Sequence, residues 1–502
     1  MKKHKVIGII IGVAAFIALI VGVTYAWYTW QSTNNTNVSF TVGGVDITFD
    51  TGNDITSSKL RPVSTKEVGV EKGYAIEKTI TASSSVIAYL NLYLTLETLP
   101  DGLKNESFKW ELYKDASLVN SGNFKNNNQG EKITIASNQE ITSSTSTYKL
   151  YIWIDGANYA NPETMQNQTF KFVLNADATD QPPALATLTK LGLSISKGTP
   201  NFNKTAQASC SDESTCETTN GIYAAEDDLG ISYYFRGAVE NNYVKFAGYY
   251  WRIIRINGDG TIRMIYDGTS AHANGESSID RQVSTTLFNT NYDDNAYIGY
   301  MYGTPGSGTY ETTHANIADS TIKIANDNWY KTNIVDKNYG SYVADAIYCN
   351  DRSISSGTGI GNTTTYYMAY NRLNTNKTPS LKCIQNEDKF TTSSSLGNGN
   401  LTYPVGLITA DEVGLAGGTT NINNSNKFYL WTGQGYWTMS SYHYDYNSDL
   451  VSSRNYYVNL NGRLFPYTVS SNLMYLRPVI SLKFNITFSG NGSMSQPFEI
   501  VS

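Results

Sequence analysis

Charged residues are scarce in this sequence. Only 16% of its 502 residues are Asp, Glu, Lys or Arg, and the formal net charge is −6. Nucleic-acid binding depends on clustered Lys and Arg that neutralise phosphates, so the composition argues against a nucleic acid as partner. Hydrophobic residues make up 40% of the chain, which is enough to bury cores. The length exceeds one ordinary core and predicts two or three domains.

Motifs of common catalytic sites are also missing. The sequence contains no HExxH zinc motif, no P-loop and no GxSxG nucleophile turn, and it has only four histidines. His272, His314 and His443 could each meet a serine and an aspartate, because triads are set by geometry and not by chain order. A chain this rich in Ser and Asp produces such pairs by chance. We therefore expect a protein that is not an enzyme and that uses no cofactor, with an extracellular hydrolase as a distant alternative.

Cysteine is rare, and its four positions point to an oxidising environment. Cys210 and Cys216 flank the short polar loop SDEST, while Cys349 and Cys383 lie farther apart in another polar region. An even number of cysteines outside the cytoplasm indicates disulfides, and chain order favours 210 with 216 and 349 with 383. A zinc site is the alternative, but the sequence has no CxxC pair.

No metal ion is predicted. The acidic and amide residues of NYDDNAY (291–297) and NDNWY (326–330) offer oxygen ligands of the kind that calcium prefers. Solvated turns explain both segments equally well.

Long apolar runs are confined to the N-terminus. Met1, Lys2, Lys3, His4 and Lys5 precede an apolar run over residues 6–28. That length spans a hydrocarbon core as a helix, and basic residues before such a helix stay in the cytoplasm. We predict a transmembrane signal-anchor over residues 1–30, with the membrane as a partner and the rest of the chain outside the cell as a single-pass ectodomain. Thr24 and Ala26 also form a small-x-small pattern, so cleavage after Ala26 and secretion is the alternative.

Residues 31–180 carry the pattern of short β-strands. VSFTVGGVDITFD (38–50) alternates apolar and polar residues on both sides of a Gly-Gly turn, which predicts a hairpin. SVIAYLNLYLTLETLP (85–100) places leucines on one face, and YKLYIWID (148–155) and QTFKFVLNADA (168–178) repeat the pattern. Such strands separated by Gly, Asn and Asp turns predict an antiparallel β-sandwich or a jelly roll.

The junction VTYAWYTW (23–30), running directly into these strands, resembles the TasA/camelysin family of Gram-positive surface and matrix proteins. The resemblance covers the anchor and roughly the first 180 residues. It implies a surface location, and in some members assembly into fibres. Camelysin has been described as a metalloprotease, but this sequence lacks HExxH, so that activity is not expected here.

A linker is predicted over residues 181–220. The segment begins with two prolines, includes a short helical pattern over 184–191, and then breaks at Gly and Pro before the first cysteine pair. Beyond it, the stretch NNYVKFAGYYWRIIRINGDGTIRMIYDG (241–268) predicts two strands around an Asn-Gly-Asp-Gly turn. Both faces of this hairpin carry apolar groups, so we expect it in the core, with its arginines pairing locally or pointing to solvent.

The order YWTMS, YYVNLNGRL and LRPVISL near the end of the chain resembles the C-type-lectin-like fold of formylglycine-generating enzymes and several bacterial surface domains of unknown function. The cysteines precede this region, so oxidase activity is not carried over. The predicted fold class is mostly β with some α: an N-terminal transmembrane helix, an antiparallel β-sandwich, and an α+β C-type-lectin-like domain over residues 221–502.

Tyrosine and tryptophan are abundant, with 38 and 8 residues. Over residues 431–446 their rings are interspersed with Gly and Ser. This composition gives broad contact surfaces and can stack on sugar faces. The lectin-like resemblance places this segment before the final strands, where such folds often hold a ligand. The predicted ligand-binding residues are Trp437, Tyr442, His443, Tyr444, Tyr446 and Arg454. For Trp437 a core position is the alternative.

Two functions remain open at this point. The first is a cell-surface binding protein, an adhesin or receptor, that presents the Tyr-rich lectin-like domain to an extracellular glycan or protein. The second is a structural subunit of a surface fibre or matrix, in which sandwich strands pair at their edges between copies.

Overall fold

The structure is a computed structural model of the chain. It describes residues 38–42, 45–50, 54–56, 60–156, 162–165, 168–179, 182–394, 396–425, 427–447, 450–471 and 473–501. The chain divides into two compact units, Met1–Gln181 and Pro182–Ser502. Within the described residues it is mostly β-sheet with few helices, as the sequence predicts.

Two β-sheets form the first unit around one hydrophobic core. The strands of this unit are β1 (Val38–Val42), β2 (Val45–Phe49), β3 (Asp54–Thr56), β4 (Pro62–Val63), β5 (Ile76–Ser84), β6 (Ala88–Thr98), β7 (Phe108–Lys114), β8 (Ser117–Asn123), β9 (Lys132–Ile141), β10 (Ser146–Asp155) and β11 (Lys171–Thr179). The larger sheet has the order β1-β2-β5-β10-β7-β8, with β4 parallel to β10, and the smaller one has the order β3-β11-β6-β9. Two short helices are α1 (Lys66–Glu71) and α2 (Pro162–Met165), and a 3₁₀ turn covers Asp101–Leu103.

Alternation of side chains explains why these segments are strands. On β6, Leu90, Leu92, Leu94 and Leu96 are fully buried, because every second residue faces the other sheet. The predicted hairpin at 38–50 is confirmed, since β1 and β2 pair antiparallel with Val42 opposite Val45.

The second unit is built on a larger sheet. The strands of this unit are β12 (Thr205–Ala206), β13 (Cys216–Glu217), β14 (Gly221–Asp227), β15 (Gly230–Arg236), β16 (Tyr243–Phe246), β17 (Tyr249–Ile256), β18 (Ile262–Gly268), β19 (Met301–Tyr302), β20 (Ala318–Asp319), β21 (Tyr348–Cys349), β22 (Ile354–Ser356), β23 (Thr365–Tyr367), β24 (Lys389–Phe390), β25 (Tyr436–Asn447), β26 (Leu450–Val458), β27 (Leu464–Thr468), β28 (Val479–Leu482), β29 (Phe488–Ser489) and β30 (Phe498–Ile500). The larger sheet has eight strands in the order β14-β15-β17-β16-β30-β29, with β18 pairing β17 and β28. A five-stranded sheet has the order β22-β23-β25-β26-β27.

Helices of the second unit are short and sit between the strands. They are α3 (Pro183–Lys190), α4 (Tyr310–Thr313), α5 (Thr321–Tyr330), α6 (Met368–Tyr370) and α7 (Ala410–Leu415). Single 3₁₀ turns cover Ile279–Arg281, Asn295–Ile298, Gly340–Tyr342 and Asn386–Asp388, and π-turns cover Lys331–Val335 and Asn371–Asn376. The side chain of Ser320 caps α5, and Thr409 with Glu412 forms a capping box on α7.

The aromatic hairpin of residues 241–268 lies in the core, as predicted. Trp251, Ile253 and Met264 on β17 and β18 are fully buried, and both strands lie within the eight-stranded sheet. The arginines of this hairpin do not reach solvent. Arg252 is also buried and places its guanidinium 3.8 Å from the ring centroid of Tyr243.

The segment predicted as a linker packs as part of the second unit. Ala184 and Leu188 on α3 and Leu191 after it lie in the same hydrophobic core as β17. The apolar face of α3 explains this difference, because a helix with such a face is stabilised by burying it. Farther along the segment, β12 and β13 form their own two-stranded sheet beside the first cysteine pair.

Both predicted disulfides are confirmed. Cys210 pairs with Cys216 and Cys349 pairs with Cys383, and the structure contains no free cysteine among the residues it describes. The second bridge closes a loop with a sequence separation of 34 residues and joins the end of β21 to the segment before β24.

The predicted anchor over residues 1–30 lies outside the described part of the chain. Among the described residues, no helix is both long and apolar enough to cross a membrane.

Candidate functional site

The five-stranded sheet of the second unit aligns residues from three strands on one face. Its register places Tyr366 of β23 opposite His443 of β25, and His443 opposite Arg454 of β26. Directly opposed residues point to the same side of a sheet. Tyr366, His443 and Arg454 therefore form a row across three neighbouring strands.

A β-bulge adds Tyr442 to this row. Ser441 pairs with Asn455 and His443 pairs with Arg454, so Tyr442 has no partner on β26. A bulge inserts one extra residue and redirects its side chain. The ring centroid of Tyr442 consequently lies 4.4 Å from that of His443, its neighbour in sequence.

Three half-buried tyrosines meet at this position, and we call Tyr366, Tyr370 and Tyr442 the tyrosine face. Their ring centroids lie 4.7 Å apart for 366 and 370, 5.3 Å for 370 and 442, and 6.5 Å for 366 and 442. The buried ring of Tyr456 supports Tyr442 from beneath at 4.8 Å. These are favourable distances for edge-to-face aromatic contacts, so the face is held in place before any ligand arrives.

The three phenol hydroxyls of the tyrosine face remain available. Within the described part of the chain they have no protein donor or acceptor, whereas the hydroxyl of the supporting Tyr456 donates to Oδ1 of Asn374 at 2.5 Å. Burial raises the pKa of Tyr442 to about 12, so its hydroxyl stays protonated at neutral pH. Apolar rings with free hydroxyls can make both stacking contacts and hydrogen bonds.

A polar strip borders the tyrosine face. Nε2 of His443 shares a hydrogen bond with Oδ2 of Asp445, and Nε of Arg454 lies 3.6 Å from the same oxygen. Burial lowers the pKa of His443, although the hydrogen bond to Asp445 opposes this shift. The ring is therefore neutral at pH 7, with Nε2–H donating to the carboxylate. The guanidinium of Arg454 is partly exposed and is the one cation of this strip.

The predicted residues Tyr442, His443 and Arg454 are thus brought together, whereas Trp437 and Tyr444 are not available to a ligand. Trp437 is fully buried, packs on Phe288 and donates from Nε1 to the carbonyl of Thr286 at 2.9 Å. Tyr444 is fully buried too, and its hydroxyl bonds to the carbonyl of Asp293 and to Oδ1 of Asn362. Both belong to the interior, so their predicted ligand-binding role is corrected.

The bulge is the physical reason for the error at Tyr444. Strict alternation predicts that residues 442, 444 and 446 share an exposed face, but the extra residue at 442 shifts the alternation by one. Tyr444 pairs with Thr365 and Ser453 on the buried side. Tyr446 shares that side by alternation and is 48% exposed at the strand end. No ring contact among the described residues joins it to the tyrosine face.

Sequence reasoning missed Tyr366, Tyr370 and Asp445. The run TTTYYMAY (363–370) contains two of them, and its aromatic residues are the signal that could have drawn attention to it. Their proximity to residue 442 depends on pairing between β23 and β25, about 75 residues apart in the chain, which no local pattern reveals.

His272 stands in an arrangement that looks like a catalytic triad. Its Nε2 lies 3.3 Å from Oγ of Ser270, and its Nδ1 lies 2.7 Å from Oε1 of Glu276. However, Nε2 also lies 3.0 Å from Oδ2 of Asp280, which accepts from the backbone N–H of Thr269. Both ring nitrogens therefore face carboxylates, leaving no free lone pair to accept the serine proton. These contacts hold the loop over residues 269–280 together, and we assign them no catalytic role.

A second cleft in this unit is lined by buried charges. Its ion pairs are Arg255 with Asp227 and Glu412 at 2.6 and 2.9 Å, Arg263 with Glu412 at 2.6 Å, and Arg372 with Asp351 and Asp411 at 2.7 and 2.8 Å. Each of these three arginines faces a carboxylate, and Lys382 at the edge of the cleft pairs with Glu226 at 2.9 Å. The described cations of the cleft are therefore already paired. The tyrosine face, with its free hydroxyls and exposed rings, is the better candidate site.

Comparison with known proteins does not place this chain in a family. No family model matches the chain, and no curated protein matches it. Among solved structures, the tandem CBM51 modules of a family 98 glycoside hydrolase from Streptococcus pneumoniae SP3-BS71 align with 48% of this chain and 80% of their own, at 12% identity and a TM-score of 0.15. A TM-score this low supports no argument about fold or function.

Proposed function

We propose that this protein is a cell-surface binding protein that presents the tyrosine face to an extracellular glycan. The observation that carries the proposal is the contact between three half-exposed tyrosine rings whose hydroxyls have no described protein partner. Sugar rings have apolar faces that stack on aromatic rings and hydroxyls that need hydrogen-bond partners. Arg454 and Asp445 at the border supply a charged donor and acceptor.

The cell-surface part of the proposal rests on the sequence. The basic residues before an apolar run at 6–28 support a single-pass anchor with the described units outside the cell. The two disulfides fit the same compartment, because such bridges persist outside the cytoplasm. The resemblances to the TasA/camelysin family and to C-type-lectin-like bacterial surface domains favour the same location. Protease treatment of intact cells tests the location, since an outward-facing chain is digested without lysis.

Glycan binding is tested with the full chain on a glycan array, followed by titration of the strongest hit. Tyr442→Leu removes a ring of the tyrosine face, and we expect binding to weaken about tenfold or more, the loss that a central aromatic contact carries. Tyr442→Phe keeps the ring and should stay within about threefold of the unchanged protein.

Tyr446→Leu is the matched control, because Tyr446 is an exposed tyrosine on the same strand that lies outside the tyrosine face. We expect it to leave binding unchanged. Equal losses for the 442 and 446 leucine variants would locate the site elsewhere, and absence of any glycan hit would sink the proposal.

The alternative function is a structural subunit of a surface fibre, and the edge strand β8 favours it. Among the described strands β8 pairs with β7 alone, and Leu118 on it is 55% exposed. An open edge can accept a strand from another copy. Electron microscopy of the concentrated full chain tests this function: filaments that disappear in a Leu118→Lys variant would support it, and a monodisperse monomer would argue against it.

A further inference from the structure

A cavity of about 490 Å³ opens on the first unit. It lies on the side of the larger sheet opposite the core, since its lining residues alternate with core residues such as Leu112 and Leu150. We call it the sheet pocket. The residues that matter for its chemistry are Lys66, Tyr113, Asp115, Ala116, Lys149 and Tyr151. This volume falls in the range of small-molecule sites.

Two tyrosine rings form one wall of the sheet pocket. Tyr113 on β7 and Tyr151 on β10 lie on neighbouring strands with ring centroids 5.8 Å apart in an edge-to-face arrangement. The ammonium group of Lys66, from the start of α1, lies 4.9 Å from one ring centroid and 5.7 Å from the other. This cation orients both rings, so an aromatic wall exists without a ligand.

The hairpin turn between β7 and β8 forms the rim. Asp115 and Ala116 have φ values of +46° and +72°, in the region that glycine and asparagine favour. The backbone N–H of Asp115 donates to the carbonyl of Thr147, and the N–H of Thr147 donates to Oδ1 of Asp115. These bonds fix the rim to β10. Positive φ at both positions is what a two-residue hairpin turn requires, since Lys114 pairs with Ser117 across it.

Negative charge exceeds positive charge around the sheet pocket. Lys66 pairs with Glu67 and Glu111 at 2.9 and 3.0 Å, and Lys149 pairs with Glu77 at 2.8 Å. Asp115 adds a further exposed carboxylate. Both lysines are thus engaged, and an acidic ligand would meet repulsion without an available cation. Carboxylates beside aromatic rings instead suit a ligand with hydroxyl donors and an apolar face.

We propose that the sheet pocket is a second binding site of this protein, specific for a saccharide that carries no acidic group. The sugar ring stacks on Tyr113 or Tyr151, and its hydroxyls donate to Asp115. The site belongs to the first unit and uses none of the residues of the tyrosine face.

The test titrates the full chain with uncharged tetrasaccharides, namely those of maltose, cellulose and chitin, and with an acidic tetragalacturonate, by saturation-transfer NMR. We expect at least one uncharged probe to bind saturably and the acidic probe to bind at least tenfold more weakly. The variant Tyr113→Leu/Tyr151→Leu should weaken that binding at least tenfold, while Tyr113→Phe/Tyr151→Phe, which keeps both rings, should stay within threefold.

Two further variants keep the result interpretable. Asp115→Asn retains the oxygen that Thr147 uses and removes the carboxylate, so it should weaken binding even if the leucine pair does not fold. Tyr366→Leu/Tyr442→Leu alters only the tyrosine face and should leave sheet-pocket binding unchanged, so the two proposals fail separately. The inference is overturned if no uncharged probe binds, if the acidic probe binds equally well, or if the leucine pair folds and binds like the unchanged protein.

Discussion

Glu412 holds two arginines at once inside the second unit. Its Oε1 lies 2.9 Å from Nε of Arg255 and 2.6 Å from Nε of Arg263, and its Oε2 accepts from the backbone N–H of Thr409 at 2.9 Å. All of these side chains are buried. A buried charge that loses its partner is left uncompensated in a medium of low polarity.

Glu412→Gln should therefore destabilise the second unit strongly. The amide keeps the shape and the capping bond but leaves buried Arg263 without a carboxylate and Arg255 with Asp227 alone. We expect a loss of about 3–5 kcal/mol in unfolding free energy. Glu226→Gln is the matched control, because Glu226 pairs with Lys382 on the surface, where such a pair contributes about 1 kcal/mol or less. Chemical denaturation measures both. Similar small losses for the two variants would show that the buried network contributes little.

The buried His314 makes the unfolding free energy of the protein depend on pH. Its ring is buried between Tyr310 and Tyr367, and Nε2 donates to the carbonyl of Gly359 at 2.9 Å. Burial, together with the nearby charge of Arg352, lowers its pKa to about 3, from an ordinary 6.5. Between these values the unfolded chain binds a proton that the folded chain excludes, so the unfolding free energy must fall as the pH drops through this range.

The contribution of His314 is at most about 5 kcal/mol between pH 6.5 and pH 3. His314→Gln keeps an N–H donor toward Gly359 and removes the titration. We expect its unfolding free energy, measured by urea denaturation from pH 7 to pH 4, to decline less steeply than that of the unchanged protein. Parallel curves for the two proteins would contradict the assignment.

At the scale of single elements, the hairpin turn between β7 and β8 holds an alanine in a backbone conformation that favours glycine. Ala116 has a φ of +72°, where a Cβ atom crowds the backbone and glycine does not. Ala116→Gly should raise the unfolding free energy by about 0.5–1 kcal/mol, and the bulkier branched side chain of Ala116→Val should lower it by at least about 1 kcal/mol. Thermal melting of the first unit checks both. If glycine is neutral or destabilising, strain at this turn is not significant.

Strands with regular alternation were predictable from the sequence, and irregular ones were not. The leucines of β6 are the clearest case, because their spacing alone places them in the core. On β25 the same reasoning places Tyr444 outside, and the bulge at Tyr442 reverses it. A bulge depends on the partner strand, so a rule applied to one strand cannot reveal it.

The candidate site was predictable only in part, for a related reason. Residues 442, 443 and 454 lie on strands joined by a hairpin and were found together in the sequence. Tyr366 and Tyr370 arrive from β23 and α6, which precede β25 by many residues. The lining of a site by distant segments is set by the order of strands in the sheet, and several orders are compatible with the same alternation.

At the scale of the whole molecule, each unit has its own hydrophobic core, and both disulfides lie in the second. Separate cores predict separate cooperative transitions. We expect two thermal transitions by calorimetry, of which reductant lowers only one. The bridge between Cys349 and Cys383 closes the longer loop and should account for most of that shift. It contributes about 4 kcal/mol to the unfolding free energy, against about 2 kcal/mol for the bridge that closes the shorter loop.

Substitutions in each unit show which thermal transition belongs to which unit. Leu92→Ala leaves a cavity in the core of the first unit, and we expect it to lower the unfolding free energy of that unit by about 2–5 kcal/mol. Only the transition that reductant does not affect should then move to a lower temperature. Cys349→Ala/Cys383→Ala should lower only the other transition. A single transition that shifts with every variant would mean that the two units unfold together.

The pairing of β30 with β16 governs when the second unit can form. Val244 on β16 lies opposite Phe498 on β30. This strand pair of the eight-stranded sheet can form only after residues about 250 positions later have been synthesised. The first unit needs nothing beyond residue 179 among its described strands. A growing chain therefore carries one folded body followed by roughly 300 residues that cannot yet close their sheet, and contacts of such long range fold slowly. During synthesis this protein depends on whatever keeps an unfinished, aromatic-rich segment from associating with its neighbours.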